Sequence, residues 1–65
     1  MTLPLSPRQM DVLRLLAGGR TPKGCALDLG LSRNTVKDHA MAIRLRLGAK
    51  TTTQAVCLAT KAGLL

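Results

Sequence analysis

The chain has 65 residues, ten of them lysine or arginine against three aspartates, and its formal net charge of +7 favours nucleic acid, an anionic membrane or an acidic protein as partner. Apolar residues make up 46% of it but none is aromatic, which removes the stacking platforms that single-stranded nucleic acid and RNA loops require. A chain this short is expected to form one domain, residues 1–65, burying roughly 60% of its unfolded surface and leaving no room for an enclosed catalytic pocket.

Met1 to Leu5 reads as a short arm. Ser6, Pro7 and Gln9 place a helix cap, a first-turn proline and a capping-box partner in register, which predicts a helix α1 from Pro7 to Ala17. Met10, Leu13, Leu16 and Ala17 form its expected buried stripe, with Val12 at the edge, and Gly18-Gly19 ends it. Thr21-Pro22 repeats the start signal and predicts α2 from Pro22 to Leu29, with Cys25, Ala26 and Leu29 inward. Gly30-Leu31-Ser32 is a tight turn in which glycine takes a left-handed angle, leucine plugs the corner and serine caps the next helix. Two helices joined by such a turn form a helix-turn-helix.

The third helix, α3, is expected over about 33–47, between the Ser32 cap and Gly48. Val36, Ala40, Ile43 and Leu47 recur at steps of three and four, which turns Asn34, Lys37, Asp38, Met41 and Arg44 outward. Amide, ammonium, carboxylate, thioether and guanidinium groups on one free helix face are the donors, acceptors and apolar contacts that read base edges in the DNA major groove. The charge supports this: residues 32–65 hold six cations against Asp38, whereas residues 1–31 hold four against Asp11 and Asp28. Thr51 and Gln54 form a further capping box for α4, expected from Thr52 to about Ala62 before Gly63. On it Ala55, Val56, Ala59 and Ala62 can close the core. Thr53, Gln54, Cys57, Thr60, Lys61 and Leu64 then line the opposite side, where Cys57 and Leu64 are too apolar for a solvated face and point to a two-fold dimer contact.

The order LSPRQ, VLRLLAGG, LGLSRNTVKDH, RLG and TTQA, closed by GLL, resembles the LuxR/GerE-type helix-turn-helix domain of quorum-sensing regulators and response regulators, from Leu5 to Leu65. The resemblance implies an all-α, four-helix domain whose third helix enters the major groove and whose fourth pairs with its copy in a homodimer. It carries base contacts onto Lys37, Asp38 and Met41. Lys37 can donate to guanine or to a phosphate, and Met41 can meet a thymine methyl or sugar carbons. Asp38 has no cation three or four residues away on its helix, and so either accepts from cytosine N4 or stands at the rim against wrong sequences. Thr21, Lys23, Arg33, Asn34, Thr35, Arg46, Lys50 and Thr52 are the candidate phosphate contacts, because the starts of α2, α3 and α4 offer backbone N–H donors to anions.

The chain departs from the family pattern at Gln9, usually Glu, and at Gly24-Cys25, often Glu-Ile, where the glycine is expected to loosen α2 by roughly 1 kcal/mol. Arg44 stands where an apolar residue is common and Thr52 where Arg is. His39 lies beside the apolar stripe, where it can reach the DNA backbone or sit as a satisfied half-buried histidine, and it is assigned no catalytic role. The lone His, scattered Asp residues and widely spaced Cys25 and Cys57 suggest no enzyme, metal site, cofactor or disulfide framework, and no small-molecule ligand is evident. No apolar run approaches the ~18 residues of a membrane span and no signal peptide is visible, so a cytoplasmic location, on the nucleoid when DNA is bound, is expected. The expected function is sequence-specific double-stranded DNA binding in transcription regulation, by this chain or by a larger regulator of which it is the effector domain. The alternative is an interaction module that heterodimerises with a related regulator and inhibits it.

Overall fold

A computed structural model describes residues 5–65 and shows four α-helices: α1 over Pro7–Ala17, α2 over Pro22–Leu29, α3 over Arg33–Leu47 and α4 over Thr52–Lys61. Each begins at an extended serine or threonine whose side-chain oxygen takes one of the orphan N–H groups of the first turn. The N–H groups of Gln9, Gly24, Thr35 and Gln54 donate to the hydroxyl oxygens of Ser6, Thr21, Ser32 and Thr51 at 3.2, 3.1, 3.1 and 3.0 Å. At α1 the capping box closes, since Ser6 N–H donates back to Gln9 Oε1 at 2.9 Å. At α4 it does not close as the sequence suggests. Gln54 Oε1 reaches one residue further back and accepts from Lys50 N–H at 2.6 Å, which ties the α3–α4 loop to the helix it precedes.

Gly30 and Gly48 follow α2 and α3 with φ of 66° and 69°, a left-handed turn that a β-carbon would strain. After Gly30, Leu31 N–H donates to Ala26 carbonyl at 2.9 Å and its side chain packs on the core, so the turn is fastened on both sides of the glycine. Helix α4 ends at Lys61, with Ala62 as its cap rather than its last residue.

The core joins Leu5, Met10, Val12, Leu13, Cys25, Ala26, Val36, Ile43, Ala55 and Ala59. Helix α3 packs against the other three. Helices α2 and α4 both rest on it and on α1 but not on each other. Several sequence expectations change here. Leu5, counted with the arm, is 5% exposed and belongs to the core; residues 1–4 of that arm lie outside the described residues. On α1 the buried face is rotated towards Val12, which is fully buried, while Ala17 is exposed and Leu16 half-buried, because α1 is covered by three helices rather than one. Ala62 is exposed, since α4 has ended by then. Cys25 is fully enclosed and burial pushes its thiol pKa up, so it packs as a small protonated apolar group.

The glycine in α2 has a use that sequence did not show. Arg20, in the loop before α2, crosses the helix to Asp28 in its last turn through two parallel bonds, Nε to Oδ2 and Nη2 to Oδ1, both 2.8 Å. A β-carbon at position 24 would stand 3.1–3.2 Å from the guanidinium atoms, so Gly24 makes the seat on which this fork lies.

Leu13→Ala should cost about 2–5 kcal/mol, comparable with the ~3–5 kcal/mol that a core this small supplies. Leu27→Ala, at a side chain 73% exposed, should stay within about 0.5 kcal/mol. Urea unfolding followed by circular dichroism checks both, and equal losses would contradict the burial pattern. Gly24→Ala adds a helix propensity of about 0.8–1 kcal/mol. That gain should appear in full in an Arg20→Ala background and be smaller where the guanidinium must be displaced; identical gains would show that Arg20 does not occupy the space.

Candidate nucleic-acid interface

The capped starts of three helices meet at one surface. A cleft of about 570 Å³ is lined by Pro22 from the first turn of α2, by Arg33, Asn34, Lys37, Ala40 and Arg44 of α3, and by Thr52 from the first turn of α4. No helix carries an acidic residue in its first turn, so the positive ends of the helix dipoles are left without a compensating carboxylate there. No carboxylate lines the cleft either. Asp11 is engaged by Arg8 and Arg14 of α1 at 3.6 and 3.9 Å, and Asp28 by Arg20. Asp38, by contrast, makes no ion pair or hydrogen bond among the described residues and is exposed on α3. The two halves of the chain therefore differ as their composition suggests, with carboxylates neutralising cations in the first and cations gathered in the second.

Of the three base-contact candidates, Lys37, Asp38 and Met41 are all exposed, Met41 to 46%. Lys37 lines the cleft, while Met41 joins Arg44, Leu45 and Ala49 around a shallow apolar hollow of about 300 Å³ next to it. Of the phosphate candidates, the cleft brings together Arg33, Asn34 and Thr52 and does not include Thr21, Lys23, Thr35, Arg46 or Lys50 among its lining residues. Lys23, Arg46 and Lys50 are exposed beyond it. Both Thr21 and Thr35 take part in the caps, Thr21 oxygen accepting from Gly24 N–H, which leaves its O–H as a donor, and Thr35 sharing a 2.8 Å hydrogen bond with Ser32 Oγ.

On α4, Thr53, Gln54, Cys57, Thr60 and Lys61 are exposed. Leu64 is half-buried and packs on the core beyond Gly63, which accounts for its apolar character without a second subunit. Gln54 is committed to Lys50 N–H, and Thr60 hydroxyl donates to Val56 carbonyl at 2.8 Å.

Sequence reasoning placed Arg44 on the open face. It is half-buried instead, with Nε enclosed and without a hydrogen-bond partner and Nη1 donating to Lys50 carbonyl at 3.4 Å. Thr52 lines the same cleft, so the two α3 and α4 positions that depart from the family pattern share one surface. Leu45, 77% exposed, also escaped notice, although its step of four from Met41 places it on the same side of α3.

The fold matches the solved structure of the transcription factor GerE with a TM-score of 0.89 over 95% of this chain and 92% of that one, at 24% identity. The chain is 40% identical over 60 residues to the transcriptional regulatory protein YvfU and 39% identical over 61 residues to the transcriptional regulatory protein YdfI, both of Bacillus subtilis. These alignments take in 92% and 94% of the chain but only 30% and 29% of the relatives' own length. The family model for bacterial regulatory proteins of the luxR family matches residues 3–59, and on that match over most of its length the chain belongs to the luxR family.

Proposed function

We propose that this chain is a sequence-specific module for double-stranded DNA in transcription regulation, with α3 lying in the major groove and α4 forming a homodimer contact. One observation carries the reading: the cation-lined cleft that joins the starts of α2, α3 and α4, beside an exposed α3 face bearing Lys37, Asp38 and Met41. Capped helix starts with no internal carboxylate favour phosphate oxygens, and three of them around one helix can hold that helix across a groove by its two rims. A carboxylate between two phosphate rows costs affinity unless a donor meets it, and the cytosine amino group is the donor the major groove offers. Asp38 is therefore assigned to reading, Lys37 to guanine or an adjacent phosphate, and Met41 to a thymine methyl or sugar. Arg33, Asn34 and Thr52 hold phosphates in the cleft, with Thr21, Lys23, Thr35, Arg46 and Lys50 around it. Transcription regulation is taken over from the names of the relatives, of whose length this chain matches under a third.

Selection of bound duplexes from a random pool, followed by affinity against salt, tests the reading. Affinity should fall with a log–log slope of roughly −0.9 per neutralised phosphate, and Lys50→Ala should shallow the slope by about one on every sequence. A slope near zero for the parent chain would remove DNA as the ligand. Asp38→Ala and Lys37→Ala should relax preference at one or two base pairs by about 1–3 kcal/mol while leaving non-specific binding nearly intact. Equal losses on all duplexes would reassign both residues to phosphates.

The exposed thiol of Cys57 in the middle of α4 supports the dimer contact, with Thr53, Gln54, Thr60 and Lys61 around it; Leu64, already packed on its own core, would meet the partner only through the edge it leaves exposed. Two such helices would set half-sites about one helical turn apart. Cys57→Arg should abolish cooperative binding to a two-half-site duplex and spare weak binding to a single half-site. Undiminished cooperativity would move the interface away from α4.

A further inference from the structure

We infer that Arg44 is itself a DNA phosphate ligand, delivered to the cleft from the second half of α3. The inference rests on the DNA-binding reading above.

An arginine can bury its aliphatic stem freely, but a guanidinium N–H enclosed away from water is costly unless a carboxylate or a set of acceptors meets it. Arg44 has neither. No aspartate pairs with it among the described residues, its Nε is enclosed without a partner, and one 3.4 Å contact to Lys50 carbonyl serves a group with five donors. That contact is not what holds the α3–α4 loop. Ala49 N–H donates to the Arg44 backbone carbonyl at 2.8 Å, Gly48 supplies the left-handed turn and Lys50 N–H is held by Gln54 at 2.6 Å, so the loop is already fastened at three consecutive residues.

The surroundings specify what would complete the guanidinium. Arg44 lines the 570 Å³ cleft with Arg33, Asn34, Lys37 and Thr52, a wall of donors and positive charge with no carboxylate. Its occupant must therefore be an anion offering several acceptor oxygens, which a backbone phosphate diester does, and a planar guanidinium can meet it with two parallel N–H bonds. Arg44 also lines the 300 Å³ hollow with Met41, Leu45 and Ala49, an apolar surface on which its aliphatic stem can rest while the guanidinium is offered to the cleft. Giving up a 3.4 Å hydrogen bond for a charge-assisted pair with phosphate favours the bound arrangement.

The test compares the parent chain with Arg44→Met, which keeps an unbranched apolar stem and removes the charge. Melting temperature and affinity for a mixed-sequence duplex are measured over a range of salt. Melting should be unchanged or higher, because an enclosed donor without a partner has been removed, while the salt slope should become shallower by about 0.9. A set of duplexes each carrying one neutral methylphosphonate linkage then locates the contact: one linkage per bound subunit should weaken the parent and leave Arg44→Met unaffected. Arg8→Met, which removes the same charge from α1, should leave the slope as it is. A steep parent slope that Arg44→Met does not change overturns the inference and leaves DNA binding standing; a flat parent slope overturns both. If Arg44→Met does not fold, Arg44→Gln, with an amide donor for Lys50 carbonyl, takes its place. Failure of both to fold makes Arg44 a structural pin and overturns the inference.

Discussion

Val36 and Ile43, 0% and 1% exposed and two turns apart on α3, fix the rotation of that helix about its own axis. Every other property of the interface follows from this burial. With these two side chains buried against the other helices, the far side of α3 is forced to the surface, which is how Lys37, Asp38 and Met41 come to stand side by side. A turn of the helix by one residue in the forward direction would bring Lys37 and Arg44 to the places of Val36 and Ile43 and bury an ammonium and a guanidinium without a partner, a cost far above what a core of this size can offset. The same apolar contact that stabilises the chain thus decides which chemistry it displays.

The core does this without a single aromatic ring. Ala55 and Ala59 are completely buried on α4, and small side chains there let the helix approach the α1 and α3 surface closely enough for Val12, Leu13 and Ile43 to fill the interior. Such a core has little redundancy. It also explains why the chain relies so evenly on hydroxyl caps: with short helices and modest apolar area, leaving first-turn N–H groups unmet would cost an appreciable share of the total.

The four helices were legible because their signals are local. Ser6, Thr21, Ser32 and Thr51 each act on the residue three places on, and Gly30 and Gly48 act where they stand, so one reading along the chain finds them. The family resemblance rested on the same local runs. What stayed hidden depends on distance through space. Arg20 and Asp28 are eight residues apart and meet only because Gly24 clears the helix surface between them, so a position read as a weakness proves to be a seat. Arg44 was read as outward, yet it stands eight residues on from Val36, at the flank of the buried stripe, and its guanidinium reaches the Lys50 carbonyl of the α3–α4 loop. Val12 and Ala17 exchanged roles because the wheel assumes one covering partner where α1 has three.

Because α2 and α4 each rest on the central pair of helices and not on one another, the two flanks are mechanically separate. Changes confined to one flank should add to changes on the other with little coupling, whereas changes in α3 should be felt by both. Such a layout lets the two rims of the cleft drift independently in sequence while the helix between them keeps its aim. Variation among related chains can then accumulate at the edges of the surface before it reaches the centre.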